Sequence, residues 1–183
     1  MKRICFIYTE TTGLHNTTKE VLKKNLYNYA RLVVLNYEIG IVKNNNFISE
    51  IKIRQIIKPR CMYIPDDTLK FHGITNEIAN EKGIDPEIVM NEFNNNIKNV
   101  DIIITHGAQF HIDTILAESL KYNIIINIQK YVIIDTISFY HDYGYIKLKD
   151  LALKLKLSDD KEKCDLIQDV FFKLYSKYYK SLK

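Results

Sequence analysis

The sequence has no tryptophan, and only three prolines and six glycines among its 183 residues. Ile, Asn, Lys and Tyr are abundant instead, with 13 Tyr. These favoured residues share AT-rich codons, so the bias reports the encoding genome rather than a function. The runs Asn44-Asn45-Asn46 and Asn94-Asn95-Asn96 are read in the same way, not as low-complexity modules. The three cysteines, Cys5, Cys61 and Cys164, are widely spaced. There is no Cys-x-x-Cys pair and no Cys/His cluster, which argues against structural zinc. An odd cysteine count in a chain of intracellular character leaves reduced thiols as the default. No apolar run approaches the roughly 20 residues that span a bilayer, so no membrane partner is expected. The start, Met1 to Tyr8, is basic and then apolar like a signal peptide. Its apolar part is short and Glu10 follows closely, so it is read as a first strand. No repeat and no interdomain linker is visible.

Hydrophobic residues make up 46% and charged residues 26%, which is ordinary for a globular chain. The length suits a single domain over residues 1–183 with one core. The formal charge of +4 permits nucleic-acid binding without demanding it. Much of the positive charge falls between Lys147 and Lys183, where solvated helix faces and a phosphate-binding surface are both open readings.

Arg3 to Tyr8 is a β-favouring run that breaks at Thr11-Thr12-Gly13. Tyr29 to Val42 and Phe47 to Ile57 predict a hairpin of two long strands around the polar turn Lys43 to Asn46. Pro59 and Pro65 bracket an extended connection. Asp85-Pro86 opens a helix with Ile88, Val89, Phe93 and Ile97 at helical spacing. Val100 to Ile104 and Tyr131 to Ile134 are short buried strands, with Ile112 to Leu120 helical between them. Leu148 to Leu157 is an amphipathic helix, and Asp159 or Asp160 caps a last helix running to about Tyr179. A meander followed by βαβ units implies a mixed sheet covered by helices.

The segment Tyr8-Thr9-Glu10-Thr11-Thr12-Gly13-Leu14 resembles the first motif of DEDDh-type 3′–5′ exonucleases, Asp-x-Glu-Thr-Thr-Gly-Leu. Pro59, Ile64-Pro65 and Phe71-His72-Gly73-Ile74-Thr75 resemble the family's next segment. His106-Gly107-Ala108-Gln109-Phe110-His111 resembles its second motif, His-Asn-Ala-x-Phe-Asp, and Ile134-Asp135-Thr136 its following strand end. Cys164 to Asp169 falls on the third motif, His-x-Ala-x-x-Asp. The resemblance covers essentially the whole chain. It implies a ribonuclease H-like α/β fold with a five-stranded mixed sheet flanked by helices.

It also implies which positions matter. Four carboxylates in the family hold two divalent ions, and a histidine serves as general base on the attacking water. Tyr8 stands at the first Asp, Glu10 at the Glu, His111 at the second Asp, Cys164 at the His and Asp169 at the last Asp. Only Glu10 and Asp169 match. A phenol is a poor ligand for Mg²⁺, and Cys164 would need a much-lowered pKa to act as a base. Glu10 and Asp169 remain as candidate metal ligands. With His111 they would form a mixed N/O site suited to Mn²⁺, Fe²⁺ or Zn²⁺. The Tyr8 phenol is expected to occupy part of the metal space and to hydrogen-bond Glu10, Asp169 or a water. His72 is expected to cap a turn. Thr11, Thr12, Gly13, Leu14, His106 and Phe110 are the candidate nucleic-acid-binding residues. Tyr175, Lys177, Tyr178, Tyr179 and Lys180 suit either base stacking or one packed helix face.

The expected function is a catalytically degenerate exonuclease-fold protein with no cofactor. It would bind single-stranded nucleic acid or take part in a replication, transcription or repair complex. An active exonuclease using Mg²⁺ or Mn²⁺ at an altered site, and a purely structural interaction module, are the alternatives. The expected setting is intracellular: the cytoplasm, or a viral factory or virion if the AT-rich source is viral.

Overall fold

The computed structural model describes residues 2–43, 46–60, 62–139 and 145–178, with side chains up to residue 175. Its core is one mixed sheet of five strands in the order β3-β2-β1-β4-β5. The strands are β1 Arg3–Thr11, β2 Leu32–Lys43, β3 Asn46–Ile56, β4 Ile102–Thr105 and β5 Val132–Asp135. The β1 strand pairs antiparallel with β2 and parallel with β4, and β4 pairs parallel with β5. The helices are α1 Leu69–His72, α2 Asn76–Lys82, α3 Pro86–Asn96, α4 Ala108–Lys121, α5 Leu148–Lys154 and α6 Lys163–Tyr178.

The apolar run of β1 is nearly continuous because the strand is central and covered on both faces. Cys5 and Ile7 join a cluster with Val89, Met90 and Phe93 of α3 and Ile112 and Ile115 of α4. Ile4 and Phe6 join Leu151 of α5 and Leu166, Ile167 and Val170 of α6 on the other face. The edge strand β3 carries Glu50, Lys52 and Arg54, charges that blunt an open edge. The hairpin is bulged between Ile39 and Gly40. A Cβ on Gly40 would lie 2.1 Å from the Ile48 carbonyl oxygen, so only glycine permits this approach.

Asp85 caps α3 through the Glu87 N–H at 3.0 Å, and Pro86 occupies its first turn. The buried face of α3 is Val89, Met90 and Phe93, whereas Ile88 is 60% exposed. Helical spacing had placed Ile88 inside; the position falls one step off the stripe that meets the sheet. The short helix α2 was not anticipated. Its signals were Thr75, which caps Ile78 N–H at 3.2 Å, and Glu77 in the first turn. The strand at residues 132–135 is not buried as expected. It is the far edge of the sheet, with Val132 60% exposed. Helix α5 ends early because the chain turns through Lys156 at φ 59°. Asp159 and Asp160 precede α6 without starting it. The turn residues Asn44 and Asn45 and the side chains of Lys177, Tyr178, Tyr179 and Lys180 lie outside the described residues.

A buried ion pair ties β2 to α4. Arg31 donates to both carboxylate oxygens of Glu118, at 3.0 and 2.9 Å, and Glu118 is 1% exposed. Glu118→Ala should destabilise the fold by about 3 kcal/mol, because it strands a partly buried guanidinium. Adding Arg31→Met to that variant should recover part of the loss, as read from urea unfolding midpoints.

Candidate nucleic-acid cleft

The first motif closes β1. Residues along a strand alternate faces, so Tyr8 and Glu10 point toward α6 while Thr9 points toward α4. A register shift between Glu10 and Thr11 ends the pairing and turns the chain outward. The loop then braces itself. Thr11 Oγ1 donates to Gly13 O at 2.7 Å, and Thr12 Oγ1 accepts from Arg31 N–H at 2.9 Å. Both predicted contact residues therefore serve the loop. Gly13, at φ 143°, faces open space, and Leu14 is 82% exposed. These two remain available to a ligand.

The second motif opens α4. Asp135 accepts from Gly107 N–H at 2.9 Å, Ala108 N–H at 2.7 Å and Ile137 N–H at 3.0 Å, so the β5 carboxylate caps the helix. One turn later His111 is 5% exposed. Its Nδ1 accepts from Thr9 N–H at 3.2 Å and lies 2.7 Å from Thr9 Oγ1. Accepting from an N–H fixes Nδ1 as the unprotonated nitrogen. Burial, the main cause, pulls the His111 pKa down to about 4, so the ring is neutral. His111 thus bonds the back of β1 instead of joining Glu10 and Asp169. His106 was expected to contact nucleic acid. It is 5% exposed, held by Thr136 Oγ1 at 2.8 Å and by the Ile146 carbonyl at 2.7 Å, and is a structural staple. Phe110 is half-buried and stacks on His15 at 4.5 Å. His15 accepts from Ala30 N–H at 3.1 Å and bonds the Phe110 carbonyl at 3.2 Å, which locks the loop after Leu14 to α4. No sequence signal singled out His15. His72 caps its turn as expected, accepting from Ile74 N–H at 3.0 Å.

The segment expected to carry the third motif lies in α6. Cys164 is fully buried, and its thiol donates to Asn36 O at 3.2 Å. Burial pushes the thiol pKa up, so this sulfur is no base. Asp169 pairs with Lys161 at 2.5 Å rather than with Glu10. Tyr8 lies with its ring 4.6 Å from that of His111, and Lys163 Nζ sits 5.9 Å from the Tyr8 centroid. The ring packs between His111 and Lys163. The expected hydrogen bond is not made to Glu10 or Asp169 among the described residues; aromatic and cation contacts replace it. Burial, followed by the Glu10 charge, raises the Tyr8 phenol pKa.

The donor set does not fit a pair of divalent ions. Tyr8 is a neutral phenol, His111 is turned to Thr9, and Asp169 is held by Lys161. Among the described residues no three His, Cys, Asp or Glu side chains converge as metal ligands, and Asp169 is paired with Lys161.

Comparison with known proteins agrees with the fold. Residues 6–162 match the Exonuclease family, a match that stops before Cys164 and Asp169. The DNA polymerase III subunit epsilon of Buchnera aphidicola subsp. Schizaphis graminum is 32% identical over 119 residues, 64% of this chain and 45% of that protein. A product-bound exonuclease I superposes with a TM-score of 0.77 at 14% identity, over 99% of this chain and 45% of that one. Exonuclease I of E. coli in complex with a dT13 oligonucleotide gives 0.74 at 13% identity, over the whole of this chain and 42% of that one. The chain belongs to the exonuclease family, and its fold is the ribonuclease H-like one that its resemblance to DEDDh-type 3′–5′ exonucleases implied. It spans less than half the length of these relatives.

Glu10 offers a test of the cleft's electrostatics. Burial pushes its carboxyl up to about 7, against the pull of Lys163 and Arg54. A raised folded-state pKa gives stability that is present below the ordinary 4.5 and is lost as pH rises through about 7. Glu10→Gln should therefore melt above wild type at pH 8, with the two melting curves converging toward pH 4.5 in circular dichroism.

Proposed function

We propose that this single exonuclease-like domain, residues 1–183, is a catalytically degenerate member of its family that binds single-stranded nucleic acid without hydrolysing it. One observation carries the reading: each side chain at a departed family position has a structural engagement of its own. His111 bonds Thr9, Cys164 bonds the β2 backbone and Tyr8 packs between His111 and Lys163. Among the described residues, none of these groups is placed to activate a water. The binding half of the reading rests on what survives, the open backbone at Gly13 and the exposed wedge of Leu14. Loss of two carboxylates also removes repulsion toward phosphate. One solved relative carries a dT13 oligonucleotide, one is in complex with SSB-Ct, and the curated relative is a polymerase subunit. By that likeness a replication assembly inside the cell is the proposed setting, without a metal cofactor.

The purified protein should not shorten a labelled single-stranded oligonucleotide with Mg²⁺ or Mn²⁺ above background. Digestion that Glu10→Ala abolishes would establish the alternative, an active exonuclease. Fluorescence anisotropy in EDTA should give binding that weakens as salt rises. Leu14→Asp should remove most of that binding. An absence of binding at low salt would leave a protein-interaction module as the better reading.

A further inference from the structure

The cations on the α6 face of the sheet are mostly paired. Lys161 holds Asp169 at 2.5 Å, Arg54 reaches Glu162 at 3.6 Å, and Lys52 bridges Asp165 and Glu38. Lys163 differs. Among the described residues its ammonium forms no ion pair, and it is half-buried over the Tyr8 ring at 5.9 Å. Tyr8 is the residue that replaces the family's first carboxylate. The neighbouring carboxylate, Glu10, feels Lys163 as its strongest attractive charge. A positive charge carried by the protein thus lies beside Tyr8 of β1, where the resemblance places metal ions.

We propose that the Lys163 ammonium is the resident cation of a metal-independent phosphodiester site at the end of β1. The inference rests on the binding reading above and names the group that makes it work. An ammonium is a compact charge with three donors on a flexible stem, and it can turn from the Tyr8 face to a phosphate oxygen without breaking an ion pair. Its neighbours favour this. Tyr8 and His111 are neutral, and the acids here are Glu10 and Glu162, the latter already paired with a second cation, Arg54, at 3.6 Å. The open backbone at Gly13 begins three residues beyond Glu10, and the exposed Leu14 follows it.

The probe is a fluorescein-labelled single-stranded oligonucleotide titrated in EDTA across a salt series. Lys163→Ala should weaken binding roughly five-fold at low salt and reduce the salt slope by about 0.7, one phosphate contact on a single strand. Lys163→Arg, which keeps the charge, should retain most of the affinity. Lys98→Ala, an exposed charge beside β4, should leave it unchanged and so controls for net charge. Unaltered affinity in Lys163→Ala, with wild type binding and both proteins folded by circular dichroism, would overturn the inference and leave the binding reading intact. Wild-type affinity that rises several-fold when Mn²⁺ replaces EDTA would overturn it as well, because the cation would then come from solution. Wild type that does not bind at all would remove the binding reading, and this inference with it.

Discussion

Cys5, Ile7 and Thr9 look toward α3 and α4, while Ile4, Phe6, Tyr8 and Glu10 look toward α5 and α6. This burial of one central strand between two apolar layers is the constraint on which the rest of the molecule depends. A shift of one residue would exchange the two faces and set Phe6 and Ile7 into layers shaped for each other's positions. The register of β1 against β2 and β4 is therefore held firmly, and with it the direction of every side chain in the first motif. His111 meets Thr9 from one side and Lys163 meets Tyr8 from the other because those two residues are adjacent in a strand.

The same constraint explains how the cleft accommodates its substitutions. Polar side chains packed beside a buried strand need hydrogen-bond or charge partners. His111 finds the Thr9 N–H and hydroxyl, Cys164 finds the Asn36 carbonyl, and Asp169 finds Lys161. The charge balance follows. Lys161 pairs with Asp169, Arg54 reaches Glu162, and the charges of Lys163 and Arg54 act on Glu10.

The scaffold around the cleft is kept in place by contacts that have no part in catalysis. The Asp135 carboxylate caps α4 and sets where that helix begins. Arg31 and Glu118 lock the start of β2 to the last turn of α4. His15 seals the loop after Leu14 against Phe110. These contacts hold the family's architecture without using the side chains of Tyr8, Glu10, Cys164 or Asp169.

The sequence by itself determined the strands and helices with strong periodicity, because alternation and helical stripes are local signals. It also carried, in its motif order, the resemblance to the exonuclease family that the match over residues 6–162 bears out. It did not disclose α2, whose seven residues carry only a weak cap signal, nor that Ile88 and Val132 are exposed, because exposure depends on which element lies opposite. It left His106 as a ligand contact and Glu10 with Asp169 as metal ligands. Only the tertiary structure turned His106 to the Ile146 carbonyl, paired Asp169 with Lys161 and set Lys163 over Tyr8. Lys163 and Tyr8 lie far apart in the chain, and a pairing that distant is created by packing α6 on the sheet, which no local pattern encodes.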